Sequence, residues 1–208
     1  HPAIGGGKRT DGKSIVDFRN NIICNWTGPT NLGNCKIIFV NNVYVPGESS
    51  DTNNKPIRIK AEFAKEKSRG FVSGNLFPWN MEWTKDNYLA IQYENSGSYG
   101  NTTREQFELP AELVSGNDKP FTHPVNEVYD WVLGKAGASK DRDDVDKRIT
   151  DEVKKNTNRL IDSQDEVGGW PKLESKSAPK DTDLDGMPDK WEKENGLDSK
   201  NSEDRNGD

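Results

Sequence analysis

The sequence predicts a mainly β fold of stacked parallel coils, followed by helices and an acidic tail. Three observations carry that reading. Over residues 1–121, short runs rich in Val, Ile and Phe alternate with Gly, Asn and Pro, the texture of strands and turns. In the same stretch an Asn pair flanked by apolar residues recurs at a fixed interval. Leu, Ile, Val and Phe make up only 40 of 208 residues, a sparse supply for an aliphatic core. Six Trp and five Tyr argue against disorder throughout.

The repeat predicts the coils. "DFRNNIIC" covers 17–24 and "IFVNNVYV" covers 38–45, placing Asn20–Asn21 and Asn41–Asn42 at equivalent positions. A weaker copy, "GFVSGNLF" at 70–77, puts Asn75 at the same place, with an insertion around Glu48–Glu66. Fixed periods of this length mark stacked units. In parallel strands, equivalent residues lie about 4.8 Å apart, so identical Asn side chains can bond from coil to coil as a ladder. The competing account puts each pair at a loop tip. The apolar flanks on both sides of each pair weigh against it.

Two helices follow. Val125, Val128, Tyr129, Val132 and Leu133 form one apolar stripe. The second helix begins near Asp143, a good N-cap, and carries Val145, Ile149 and Val153. Neither polar face holds a catalytic set, so both read as packing elements covering the side or end of the β segment.

The acidic tail carries the most specific motif. Residues 181–192 read "DTDLDGMPDKWE". Asp181, Asp183 and Asp185 fall at positions 1, 3 and 5 of an EF-hand-like loop. Gly186 falls at 6, Met187 at 7, Asp189 at 9 and Glu192 at 12. Alternate carboxylates in a tight loop converge on one point, and Ca²⁺ is a hard cation needing six to eight oxygens. Gly186 permits the sharp turn, the Met187 carbonyl supplies a backbone oxygen, and Glu192 binds bidentately. Asp189 acts directly or through water. Pro188 opens a short helix that Gly196 ends. Further on, Asp198, Asn201, Asp204, Asn206 and Asp208 resemble the start of a second calcium site without its bidentate Glu. Both sites read as structural, contributing stability that the core does not.

Other chemistry is absent or weak. The formal charge is −6, from 29 basic and 35 acidic residues, so no whole-chain basic field attracts nucleic acid. No apolar run is long enough for a membrane span. The only histidines are His1 and His123, which leaves Ser–His–Asp chemistry without a base. "IGGG" at 4–7 lacks the strand–helix setting of a nucleotide loop. Lys55, Arg58, Lys60, Lys65, Lys67 and Arg69 form a basic stretch able to meet a polyanion, though a solvated insertion loop is the preferred account. Cys24 and Cys35 either bridge or remain buried thiols. Asn25 and Asn101 head N-glycosylation triplets.

At this point the residues resemble a known family. The segments "HPAIGGG", "DFRNNIICNW" and "VNNVYVPG" occur first. Then come "AGASKDRDDVDKRITDEVKKNTNRLIDSQDEVGGWPKL" and "DTDLDGMPDKWEKENGLDSKNSEDRNGD". In that order they resemble the C-terminal half of pectate lyases of polysaccharide lyase family 1, in the secreted branch with an EF-hand-like C-terminal loop. The resemblance covers nearly all of the chain apart from about 80–121. It implies the last coils of a right-handed parallel β-helix with C-terminal helices and an EF-hand-like calcium loop. It also implies calcium-dependent β-elimination of polygalacturonate, an acidic plant polysaccharide (pectate), outside the cell or at its surface.

The departures from that pattern bear on catalysis. The family's catalytic calcium carboxylates lie upstream of residue 1. Its Arg-x-Pro pattern would place the catalytic Arg immediately before His1, and Ala3 stands where a further Arg often follows the Pro. No catalytic residue is carried over; residues 181–192 alone transfer position by position. Arg19 reads as structural.

The expected organisation is therefore three segments. Residues 1–121 hold the coils, 122–174 a helical cover, and 175–208 the calcium-binding tail. The chain begins at His1, without an initiator Met or a hydrophobic leader, and reads as a processed chain or a fragment. Its partner would be the N-terminal remainder of the β-helix, and alone it should be inactive. The alternatives are a non-catalytic, calcium-dependent module that binds acidic polysaccharide or sits at a cell surface, and a β-helix lyase or hydrolase with another substrate.

Overall fold

A computed structural model describes residues 3–5, 13–59, 68–93, 102–113, 120–172 and 174–206. It divides into two compact units, His1–Trp170 and Pro171–Asp208.

Among the described residues the first unit is built on nine short strands: β1 (Ala3–Gly5), β2 (Ile15–Arg19), β3 (Ile22–Cys24), β4 (Thr30–Gly33), β5 (Lys36–Val40), β6 (Val43–Val45), β7 (Ile57–Ile59), β8 (Arg69–Ser73) and β9 (Ile91–Tyr93). Every pairing is parallel. The strands form three sheets, ordered β1-β4-β7-β9, β2-β5-β8 and β3-β6. The chain visits the three in the same order each time, and a bridge from Val43 to Leu76 prolongs the third. The register restates the sequence period: Ile22 pairs with Val43 and Asp17 with Ile38, then Lys36 with Arg69.

The Asn pairs divide their work. Asn20 and Asn41 adopt φ of 55° and 50°, and Gly74 takes the equivalent corner at φ 68°. Asn and Gly are the residues that accept this left-handed conformation at low cost. The second member of each pair points inward and bonds to the next coil. Asn21 Nδ2 donates to Asn42 Oδ1 at 3.0 Å, and Asn42 Nδ2 to Asn75 Oδ1 at 2.8 Å. A fourth rung, Asn87, accepts from Asn75 Nδ2 at 2.9 Å. It comes from a 3-10 turn, Asn87–Ala90, whose sequence lacks the apolar–Asn–Asn–apolar pattern. Backbone N–H groups of Asn21, Asn42 and Asn75 donate to the same acceptors at 3.0, 2.9 and 2.7 Å. Each buried carboxamide is thereby satisfied.

Aromatic rings supply what aliphatic side chains do not. Tyr44 is fully buried, stacks on Phe77 at 4.9 Å and meets Trp26 edge-on at 5.3 Å. Its hydroxyl lies 2.8 Å from Thr30 Oγ1. Leu32, Ile37, Ile57, Ile59 and Ile91 complete the hydrophobic interior. Helix α1 (Met81–Lys85) and the 3-10 turn after it carry Trp83 and Tyr88 to the same core. Helix α2 (Arg104–Phe107) seats Phe107 over Gly70, where an added Cβ would lie 2.4 Å from the ring.

Helix α3 (Val125–Lys135) packs against β3 and β6 and buries Val128 completely. Helix α4 (Asp144–Lys155) starts where expected, with the Asp143 carboxylate accepting from Asp146 N–H at 2.9 Å. Its apolar stripe is not core, because Ile149 is 46% exposed and the helix buries no residue. Tyr129 of α3 ties to it by donating to Val153 O at 3.2 Å.

One expectation is corrected, and several others find their place in the structure. The described residues are mixed, parallel sheets with helices, rather than mainly β: strands of three to five residues leave much of the chain to corners and helical segments. Cys24 is a half-buried thiol and Cys35 a buried one, with no disulfide between them. Asn25 heads one of the glycosylation triplets. It is 8% exposed, and its amide nitrogen donates to Asn158 O at 2.8 Å. Within the basic stretch, Lys55 donates to Ile91 O, Arg58 to Asn31 Oδ1 and Arg69 to Glu108 O. Lys60, Lys65 and Lys67, like His1, Asn101 and Asp208, lie outside the described residues. Among the described residues, no helix is long and apolar enough to cross a membrane.

Among the described residues the second unit contains one regular helix, α5 (Asp189–Asn195), preceded by Pro188 and ended by Gly196 at φ 77°. A 3-10 turn, Asp204–Asn206, follows.

Candidate metal centre

The tail loop winds on its own carboxylates. Asp181 accepts from Leu184 N–H at 2.8 Å and from Gly186 N–H at 3.0 Å. Asp185 accepts from Met187 N–H at 2.8 Å through Oδ1. Leu184 and Gly186 take φ of 62° and 97° to complete the turn. One oxygen of Asp183 and one of Asp185 hold this winding, and their second oxygens are buried without a hydrogen-bond partner.

Helix α5 then delivers Glu192, which is wholly buried with neither carboxylate oxygen hydrogen-bonded. The turn after the helix delivers Asp204, whose Oδ1 is likewise buried and unpartnered. Oxygens of Asp185, Glu192 and Asp204 lie within 4.8 Å of one another, and so do those of Asp181, Asp183 and Asp185. Oxygens around one Ca²⁺ sit about 2.3–2.6 Å from it, so either set fits inside one ion's shell.

Electrostatics points the same way. Burial, then repulsion from Asp183, Asp185 and Asp204, pushes the Glu192 carboxyl up to about 7. Asp183 is raised as well, by burial and then by Asp185. Clustered acids without a counter-charge are costly to hide from water. A divalent cation removes that cost.

Not every position assigned by spacing converges. Asp181, Asp183 and Asp185 do, Glu192 converges with Asp185 and Asp204, and Met187 sits half-buried in the loop turn. Asp189 does not. Its carboxylate accepts from Thr182 N–H at 2.7 Å, Thr182 Oγ1 at 2.8 Å and Lys180 Nζ at 2.9 Å, which holds it below the usual carboxylate range. Asp198 and Asn201 are exposed, accepting from Lys200 N–H and Glu203 N–H. Asp204 faces the first loop rather than a site with those two. Its distance from the motif, twelve residues beyond Glu192, is why spacing alone assigned it elsewhere.

The first unit concentrates charge around Arg19, whose Nε donates to Asp17 at 2.7 Å while Glu112 lies 3.9 Å away. Next to it, His123 N–H donates to Asn20 Oδ1 at 2.8 Å. Its ring lies between exposed Phe121 and Trp131, at 4.7 and 4.4 Å. Arg19 is thus held by its acidic neighbours.

No family model matches the chain. It is similar to a probable pectate lyase C of Aspergillus terreus, 27% identical over 195 residues. The corresponding proteins of Emericella nidulans and Aspergillus oryzae are 26% and 28% identical. Each alignment covers 89% of this chain but only 42–43% of the relative. The chain therefore spans less than half the length of these curated relatives, and over nearly all of its own length it is similar to proteins named as pectate lyases.

Proposed function

We propose that this chain is the closing part of a secreted or cell-surface lyase that cleaves polygalacturonate by calcium-dependent β-elimination. The observation that carries the reading is the similarity to pectate lyases along 89% of the chain. The three-sheet parallel register and the Asn ladder support the last coils of a right-handed parallel β-helix at 1–121, with a helical cover at 122–174. The preceding coils would dock on β1, β2 and β3. These are outermost in their sheets, and Asn21 Oδ1 accepts no hydrogen bond among the described residues.

Within such an enzyme these residues extend and brace the scaffold. Arg19, enclosed by Asp17 and Glu112, positions a coil corner. The catalytic arginine and the catalytic calcium ligands belong to the preceding portion. Calcium bound there would offset the negative charge that develops when the proton beside the uronate carboxylate leaves.

The tail at 175–208 binds a structural calcium ion through Asp181, Asp183, Asp185, the Met187 carbonyl and Glu192. The buried, unpartnered Glu192 is the observation behind this assignment.

The test is to incubate the chain with polygalacturonate and Ca²⁺ and follow the ultraviolet absorbance of unsaturated product. The chain alone should give none, and the chain extended by its upstream coils should turn over. Activity from these 208 residues would overturn the assignment of catalysis to the preceding portion. Tight binding with no turnover even in the extended protein would favour a polysaccharide-binding module.

A further inference from the structure

We infer that Asp204, and not Asp189, completes the metal shell of the tail, so that one ion joins the loop at 181–187, helix α5 and the turn at 204–206. The inference rests on the calcium reading above and assigns its outermost ligand.

Position 9 of the loop falls on Asp189, but its carboxylate belongs to neither convergent set and is paired with a lysine ammonium. Oδ1 accepts from Thr182 N–H at 2.7 Å, and Oδ2 accepts from Lys180 Nζ at 2.9 Å and Thr182 Oγ1 at 2.8 Å. An ammonium already neutralises this carboxylate. It therefore acts as a brace between the two ends of the loop.

Asp204 is in the opposite condition. Oδ2 accepts from Asp198 N–H at 2.8 Å, which fixes the side chain, while Oδ1 is buried and unpartnered. The carboxylate lies with those of Asp185 and Glu192 inside a 4.8 Å set. Glu192 is the independent pointer to a cation, since a wholly buried carboxylate with two unpartnered oxygens faces this set. A separate second site at 198–204 would need Asp198 and Asn201 turned inward. Both are exposed and bonded to their own turn.

One ion held this way does more than fill a loop. It fixes the exit of α5 and the following turn, a stretch with few apolar anchors. Calcium suits the role better than magnesium, because its larger, flexible shell admits a ligand from a distant turn.

The probe is Ca²⁺ alone, titrated calorimetrically into the chelator-stripped full chain. Asp204→Asn keeps an oxygen to accept from Asp198 N–H but loses the charge, and should weaken calcium about tenfold or more. Asp189→Asn should leave affinity within about threefold. A backbone NMR fingerprint of residues 13–59 reports whether each variant is folded. The reverse order of effects overturns the inference. So does a stoichiometry of two in which Asp204→Asn removes one ion and leaves the other's affinity intact. If the unaltered chain binds no calcium, the underlying reading fails with it. If it binds and Asp204→Asn changes nothing, this assignment alone fails.

Discussion

The two units of the molecule face the same difficulty, polar side chains placed out of water, and meet it in different ways. In the first unit Asn42, Asn75 and Asn87 are at most 4% exposed, and each carboxamide finds its partners in adjacent coils or its own turn. Among the described residues the atoms left over there are single and neutral: Trp79 Nε1, Tyr93 OH and Asn158 Oδ1. In the second unit the buried and unpartnered atoms are carboxylate oxygens of Asp183, Asp185, Glu192 and Asp204. Neutral amides carry donor and acceptor together, so they satisfy one another in a stack. Carboxylates carry acceptors only and need a donor or a cation from elsewhere. The first unit pairs its buried amides internally, and on the proposed reading an ion does the same for the second unit's carboxylates.

The sharpest way to break the contrast is to damage the ladder. Asn42→Ala removes the acceptor of Asn21 and the donor to Asn75 and Phe18. With each orphaned buried group worth about 1–3 kcal/mol, the total loss should be about 3–5 kcal/mol. Thermal denaturation should register it as a fall of roughly 10 °C. Asn42→Asp should be similarly harmful, since it keeps the acceptors but loses the donors. A fall of only a degree or two would mean the ladder is ornamental.

Chelation addresses the other side. At calcium a hundredfold above its dissociation constant, the bound ion should stabilise the tail by about 2.7 kcal/mol. EDTA should therefore unfold or loosen residues 171–208, followed through Trp191 fluorescence, while leaving the first unit's melting unchanged. Asp183→Ala or Glu192→Ala should abolish the response to EDTA. If these variants still respond like the unaltered chain, the ion binds elsewhere.

A smaller effect refines the account of the core. Tyr44→Phe deletes the buried hydroxyl that meets Thr30 and should cost about 1 kcal/mol, read from a denaturant midpoint. A cost above about 3 kcal/mol would show that the hydroxyl organises more than one partner.

The mildest prediction concerns pH. Glu192 is raised from its ordinary value of 4.5 to about 7 in the metal-free fold. Folding without metal thus favours its protonated form, and the penalty grows as pH rises from 4.5 through 7. The metal-free tail should be better ordered at pH 5 than at pH 8. Calcium should reverse that trend, because binding needs the ionised carboxylate. A metal-free tail insensitive to pH across this window would argue that Glu192 is not confined as described.

Much of this was legible in the residues. The interval between Asn21 and Asn42 is the strand register itself, because a repeat of one coil must bring equivalent residues into contact. Asp143 and Gly196 mark helix ends through local chemistry, which sequence reports well. The fourth rung, Asn87, was not legible: it reaches the ladder from a 3-10 turn, and no flanking pattern marks it. Asp189 and Asp204 are placed differently from what their spacing suggests, for a related reason. Spacing identifies which carboxylates can converge, but a neighbouring lysine at 180 and a turn twelve residues past Glu192 decide which ones do. The stripe of α4 misled too, since periodicity cannot tell whether anything covers it.

Amide hydrogen exchange over the whole chain, with Ca²⁺ and then with EDTA, tests the central contrast most directly. The account predicts that calcium protects amides across 181–206, including those around Asp204, and leaves the ladder strands at 15–45 unchanged. Equal protection of the tail with and without calcium, or a calcium response centred on the ladder, would contradict it.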